Sequence, residues 1–217
     1  MREVVDRATL GEVDRLVFSL SSHGTQIPDL SGDEEVDHAD ETFAMYDIHQ
    51  GEDSDSWDTS SVIVDDELHA LLTGVLKGLL VEVVPVTRHS GNGLTSLDFL
   101  PGRRPRFLPP PTSSRIETVE GADPVGLRDL IKGKPAKQVP VLFAACRPDQ
   151  TASDGHFAGQ YKGAFTHYLI PEQKSDVTQS RSHLLSGAKG LRWGKFAQLA
   201  QLEAPAGAKK LAFAHAW

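Results

Sequence analysis

The run Leu79-Leu80-Val81-Glu82-Val83-Val84-Pro85-Val86 constrains this chain more than any other stretch. It is far shorter than the ~18 residues a membrane helix needs. It is apolar on both faces, as a strand must be when helices cover both sides of a sheet. Leu16-Val17-Phe18-Ser19-Leu20 and Val139-Pro140-Val141-Leu142-Phe143-Ala144-Ala145-Cys146 read as two more strands of the same kind. Leu68, Leu71, Leu72, Val75 and Leu76 repeat at helical spacing, and Asp65 or Asp66 supplies an N-cap that suits the positive end of the helix dipole. Further helices are expected around Ala8–Asp14, Pro124–Ile131 and Gly163–Leu169, with a last strand over Lys210–Ala214. A polar, acidic loop is expected to follow Ser21-Ser22-His23-Gly24 through Trp57, and an extended loop without packing period to run from about Gly102 to Gly121. Strands alternating with helices make an α/β domain, and 217 residues suit a single one, spanning 1–217. In such sheets the loops at the carboxyl ends of neighbouring strands meet and form the site. Here those ends carry His23-Gly24, Arg88-His89-Ser90-Gly91 and Cys146.

Charge narrows the function. No Lys or Arg occurs between Ser21 and Leu76, and that stretch holds 15 of the 30 acidic residues. A block this acidic repels phosphate backbones, so nucleic acid is not an expected partner. Acid clusters instead suit a divalent cation with oxygen ligands, or a basic peptide. The start, Met1-Arg2-Glu3-Val4-Val5-Asp6-Arg7, lacks the apolar core of a signal peptide. With no membrane-length apolar run either, a soluble cytoplasmic protein is expected. One cysteine, Cys146, excludes an internal disulfide and a thiolate zinc cluster.

Six short segments occur in a telling order. They are Ser21-Ser22-His23-Gly24-Thr25-Gln26, the acidic stretch Asp29–Glu41, Val64-Asp65-Asp66-Glu67-Leu68, Phe143-Ala144-Ala145-Cys146-Arg147-Pro148-Asp149-Gln150-Thr151-Ala152, Gly163-Ala164-Phe165-Thr166, and Phe196-Ala197-Gln198 with Gln201-Leu202-Glu203 and Pro205. Together the set resembles the caspase-like cysteine peptidases of the metacaspase and bacterial orthocaspase branch, from about Leu16 to the C-terminus. The resemblance implies a three-layer αβα sandwich with a mostly parallel central sheet, and cleavage of peptides after basic residues. It places His23 at the catalytic histidine. That role fits a loop histidine whose ring exchanges protons near neutrality. Gly24 lets the backbone pass close to a substrate carbonyl, whose developing oxyanion its N–H would stabilise.

The chain departs from the family at the nucleophile. Where the family reads Asp-Ser-Cys-His-Ser-Gly, this sequence reads Val86-Thr87-Arg88-His89-Ser90-Gly91. Arg88 stands at the cysteine position, and Val86 replaces an acidic residue that would help hold a basic side chain. A guanidinium stays protonated and cannot attack a carbonyl, whereas a thiolate beside histidine can. The expectation is a pseudopeptidase that acts by binding a peptide or protein. The alternative is an active cysteine endopeptidase using Cys146, the only thiol; a serine hydrolase at Ser90 has no orienting carboxylate in its spacing.

By the same resemblance, Asp40, Asp65, Asp66 and Asp98 are the expected Ca2+ ligands. The family's first two strands have no counterpart before Leu16. The sheet is therefore expected to be trimmed at one edge, leaving Leu16–Leu20 exposed for self-association or for strand addition by a partner.

Overall fold

The computed structural model describes residues 2–30, 32, 39–52, 55–75, 79–87, 103–111, 140–147, 150–188, 191, 196 and 198–213. Its centre is a four-stranded sheet of β1 (Arg15–Ser21), β5 (Leu80–Val86), β7 (Val141–Ala144) and β10 (Gln201–Glu203), in that order. β1 and β5 run parallel, with Arg15 opposite Leu80 and Ser21 opposite Val86. β5 and β7 are also parallel, whereas β10 is antiparallel to β7. The α/β reading of the sequence holds, with a mixed and mostly parallel sheet.

Strand alternation explains why the apolar runs are continuous. Val81, Val83, Leu142 and Ala144 face one side, where they pack with Ala8 of α1 (Arg2–Thr9) and with Leu68 and Leu72 of α2 (Asp65–Val75). Val86, Val141 and Phe143 face the other, against Phe165 and Leu169 of α3 (Ala164–Ser175), Leu184 of α4 (Arg181–Gly187) and Ala208 of α5 (Ala206–Lys209). Each face buries its own apolar cluster, so a strand covered by helices on both sides needs no polar alternation.

Glu82 is the exception on that second face. Its Oε1 accepts a 2.7 Å bond from Arg181 Nε, and both side chains are fully buried. Arg181 also donates from Nη1 to the Ala208 carbonyl at 2.8 Å, and its backbone N–H donates to Leu211 at 2.8 Å. One guanidinium thus joins the central strand to the helical C-terminal layer.

Two small antiparallel sheets flank the centre. One holds β2 (Gly24–Pro28), β3 (Ala39–Ala44) and β4 (Val62–Val64); the other holds β6 (Arg103–Pro105), β8 (Ser153–Phe157) and β9 (Gln160–Gly163). Both correct the sequence reading. The stretch after Gly24 through Trp57 is not a continuous loop, because Gly24–Pro28 and Ala39–Ala44 pair from Gly24↔Phe43 to Pro28↔Ala39. Nor is the whole of Gly102–Gly121 free of packing, because Arg103–Pro105 pairs with β8. The first helix lies at Arg2–Thr9 rather than Ala8–Asp14. Gly11, at φ +73°, donates to the Ala8 carbonyl and turns the chain out of the helix in the left-handed conformation that glycine adopts without strain. The last strand is Gln201–Glu203, not Lys210–Ala214. Pro205 starts α5 immediately after it, and Ala212 makes only an isolated bridge to Ser180. The helix expected at Pro124–Ile131 lies outside the described residues.

β1 is the terminal strand of the central sheet among the described residues, and its side chains alternate between exposed and half-buried. No helix among the described residues is long and apolar enough to cross a membrane.

The buried pair sets a stability test. Arg181→Met strands the Glu82 carboxylate in the core and is expected to lower the unfolding free energy by about 3–5 kcal/mol in urea denaturation. Adding Glu82→Leu should recover most of that loss, because an apolar pair removes the desolvation cost of both ions.

Candidate active site

The parallel register carries the site. Ser21 is opposite Val86, so the chain leaves both strands at the same end of the sheet. His23 follows Ser21 by two residues, and Arg88, which lies outside the described residues, follows Val86 by two. Cys146 follows the end of β7 by two. The carboxyl ends of three adjacent strands therefore supply the three positions that the sequence singles out.

His23 sits with its side chain exposed between β1 and β2, and its carbonyl accepts from the Ala44 N–H at 2.9 Å. The Ser22 hydroxyl donates to the Ala44 carbonyl and pins the same turn to β3. Although part of the ring meets solvent, its neighbours strip enough hydration to lower the imidazole pKa below 6.5. The Arg106 guanidinium lowers it further, while Asp154 pulls the other way. The ring is thereby biased to the neutral form that accepts a proton.

Gly24 is buried, and its N–H donates to the Arg106 carbonyl at 3.0 Å. The amide expected to meet a substrate carbonyl meets a carbonyl of the chain itself. Cys146 is also buried, within the apolar cluster beneath α3, and its thiol donates to the Gln150 carbonyl at 3.2 Å. Gln150 and Gln198 fix this turn: Gln150 Oε1 accepts from Leu199 N–H at 2.7 Å, and Gln198 bridges the Ser153 N–H and the Ala145 carbonyl. The glutamines in the Cys146–Ala152 and Phe196–Gln198 segments are struts of the β7–β8 connection.

Two residues beside His23, Arg106 and Asp154, were not singled out by sequence reasoning. Arg106 donates from Nε and Nη2 to Asp154 Oδ1 at 2.8 and 2.7 Å. Its Nη1 donates to Ser21 Oγ at 2.7 Å and to the Val86 carbonyl at 3.2 Å, with a longer contact of 3.4 Å to the Ser22 carbonyl. Gly163 lies so close that an added Cβ would stand 3.1 Å from Nη2. The basic group thus lies beside His23, at the ends of β1 and β5. The available signals were the third arginine of Arg103-Arg104-Pro105-Arg106 and an aspartate beyond the Cys146 segment, neither of which has a spacing that pairs it with the other.

For calcium, Asp40 and Asp65 are buried carboxylates. Asp40 lies in β3 and accepts from Leu30 N–H at 2.9 Å; Asp65 and Asp66 open α2, just after Val64, which pairs with Thr42. Asp98 lies outside the described residues. Among the described residues no three acidic, histidine or cysteine side chains group so as to hold a metal ion. The described aspartates alone do not complete a ligand set.

Comparison with known proteins agrees with this arrangement. No protein-family model matches the chain. Metacaspase-1A of Neosartorya fischeri is 27% identical over 216 residues, covering 87% of this chain and 47% of that protein. Metacaspase-1A of Aspergillus clavatus is 27% identical over 220 residues, and Metacaspase-1 of Emericella nidulans 26% over 216, each across 87% of this chain. The chain spans about half the length of these curated relatives. Among solved structures, protein GSU0716 from Geobacter sulfurreducens superposes with a TM-score of 0.59 at 22% identity, covering 97% of this chain and 76% of that one, a likeness of fold. The relatives it matches are metacaspases, and the ordered motifs and the α/β fold are consistent with a likeness to the caspase-like peptidases.

The lowered His23 pKa gives a titration test. The unfolded state takes up a proton first as pH falls through 6.5, so the contribution of this ring to stability is full above 6.5 and is lost below it, toward the folded-state pKa. The NMR titration midpoint of His23 should lie below 6.5. In Arg106→Gln it should rise, because a neighbouring positive charge is gone.

Proposed function

We propose that this caspase-like domain binds peptide segments in its cleft and does not cleave them. The reading is carried by the segment Val86-Thr87-Arg88-His89-Ser90-Gly91, in which the resemblance puts Arg88 where the family has its nucleophile. A residue that cannot lose its proton offers no lone pair to a carbonyl carbon, so no acyl-enzyme forms there. His23 alone supplies a base with nothing to activate. The burial of Cys146 in the apolar cluster supports the same reading, since a reactive thiol needs access and a charged neighbour to form its thiolate. Without a nucleophile, such sites retain only about 10³–10⁴-fold catalysis over water.

The proposed partners are an extended peptide in the cleft and a second chain at β1. β1 is terminal in its sheet among the described residues and has an alternating, half-exposed set of side chains, Val17 among them, which suits the addition of another strand. A calcium ion held by Asp40, Asp65, Asp66 and Asp98 belongs to the same proposal. Its support is that Asp40 and Asp65 are buried carboxylates, oxygen ligands of the kind Ca2+ takes, on β3 and at the start of α2.

Incubation with fluorogenic peptides bearing Arg or Lys before the scissile bond, with and without Ca2+, should give no turnover above buffer. Robust cleavage abolished by Cys146→Ser would overturn the reading in favour of an active thiol peptidase. Calcium is tested by melting: the midpoint should rise with Ca2+ over chelator in the wild type and not in Asp65→Ala/Asp66→Ala, by about 2.7 kcal/mol at a hundredfold excess over Kd. The same midpoint under both conditions in the wild type would remove calcium from the proposal.

A further inference from the structure

We propose that the pocket between the end of β2 and Trp57 is a second binding site, outside the cleft, which seats an arginine side chain of a peptide or protein partner. β2 begins at Gly24, beside His23, and the pocket opens at its other end, about 13 Å away along the strand. The inference therefore goes beyond the cleft reading and does not rest on it.

Apolar side chains and carboxylates share the lining. The pocket has a volume of about 290 Å³, and Ile27, Pro28, Leu30 and Trp57 line it together with Glu52 and Asp58. That size lies at the lower bound of the roughly 300–1,000 Å³ clefts that take small ligands, so it fits one long side chain rather than a cofactor. Ile27 belongs with Val62 and Val64 to an apolar cluster of its own, against which Trp57 packs. Leu30, by contrast, is 62% exposed. An apolar neighbour of the seated arginine would cover it.

The walls are in place before a partner arrives. Asp58 N–H donates to the His49 carbonyl and Gly51 N–H to the Ser56 carbonyl, both at 2.9 Å, and Gln50 bridges Trp57. The indole Nε1–H of Trp57 donates to Thr25 Oγ1 at 2.8 Å, which fixes the ring against β2. Leu30 N–H donates to Asp40 Oδ2 at 2.9 Å and sets the opposite side. Asp58 Oδ1 accepts from the Ser60 hydroxyl and from the Ser60 N–H, and these bonds hold its carboxyl below the ordinary carboxylate range. Its second oxygen, Oδ2, lies 3.8 Å from His49 Nε2, too far for a hydrogen bond, and keeps acceptor capacity for an incoming donor.

Charge selects the occupant. Every residue lining the pocket falls within Ser21–Leu76, the stretch that has no Lys or Arg and 15 of the 30 acidic residues. A concave site of one sign concentrates ligands of the other. Arginine suits both parts of the lining. Its methylene stem is apolar, its planar guanidinium stacks on an indole, and its N–H groups reach carboxylates at the same time. A lysine ammonium holds its hydration more strongly and has no flat face to stack. An anionic ligand would meet only like charge.

The test titrates the isotope-labelled full chain with acetyl-Leu-Arg-Ala-amide and with a copy carrying citrulline for arginine. The readout is the NMR signal of the Trp57 indole N–H, assigned by its loss in Trp57→Phe. The arginine peptide should shift this signal saturably, and the citrulline copy, which keeps the shape without the charge, should bind about tenfold or more weaker. Glu52→Gln with Asp58→Asn should cost the arginine peptide a similar factor and the citrulline copy little. Asparagine still caps Ser60, so the loop stays closed in that variant. An indole signal that does not move, or equal binding of the two peptides, overturns the proposal. Self-association of the wild type that Glu52→Gln/Asp58→Asn abolishes would make a second copy the occupant, and would overturn it too. Binding in the cleft is read separately on the His23 ring, so failure of that reading and failure of this one are distinguishable.

Discussion

The Arg106 guanidinium is the interaction on which the arrangement of the cleft depends. The central sheet and its two small neighbours share no hydrogen-bonded strand, yet Arg106 touches all three. It follows β6, its side chain reaches Asp154 in β8 and the ends of β1 and β5, and its carbonyl binds the first residue of β2. Only a planar fork with five donors can meet a carboxylate through one edge and a hydroxyl and carbonyls through the other. Lysine, with its three donors gathered at one nitrogen, could not span the Asp154 carboxylate on one side and the strand-end acceptors on the other. Burying this cation is tolerable because Asp154 supplies the opposite charge at 2.7 Å.

A second arginine plays the corresponding part beneath the sheet. Arg181 meets Glu82 in the middle of β5 and reaches into the turn at Ala208. The two arginines thus bracket β5, one at its carboxyl end and one at its centre. Apolar packing supplies most of the stabilisation of both faces. The ion pairs add direction, because a guanidinium accepts few geometries where apolar side chains accept many. Local electrostatics at the cleft follow from the first arginine: it disfavours a second positive charge on His23, while the Asp154 it holds partly compensates.

Much of this was legible in the sequence. The strands β1, β5 and β7 follow from apolar runs whose length and lack of alternation fit strands covered on both sides. α2 follows from its spacing and its acidic start, and the position of His23 from the order of short motifs. The hairpin of β2 and β3 was not legible, because its buried positions include Thr25, Gln26, Asp40 and Thr42, which read as loop residues. β6 is paired by backbone and lies in a proline-rich stretch, so no side-chain period announces it. The pairing of Arg106 with Asp154 spans 48 residues and is set by topology alone. The last strand was misplaced because Leu211 and Phe213 supply an apolar alternation around a turn, whereas Gln201–Glu203 carries two polar residues in three.

The central claim is that a directional bond between Arg106 and Asp154, not general packing, holds residues 103–108 across the cleft. A double-mutant cycle measures it directly: unfolding free energies of wild type, Arg106→Gln, Asp154→Asn and the double variant, in urea at neutral pH. A mostly buried, charge-assisted pair of this geometry should show a coupling energy of about 1.5 kcal/mol or more, the double variant losing less than the two singles together. Losses that add to within about 0.3 kcal/mol would contradict the account, since additivity of that kind belongs to residues that act independently.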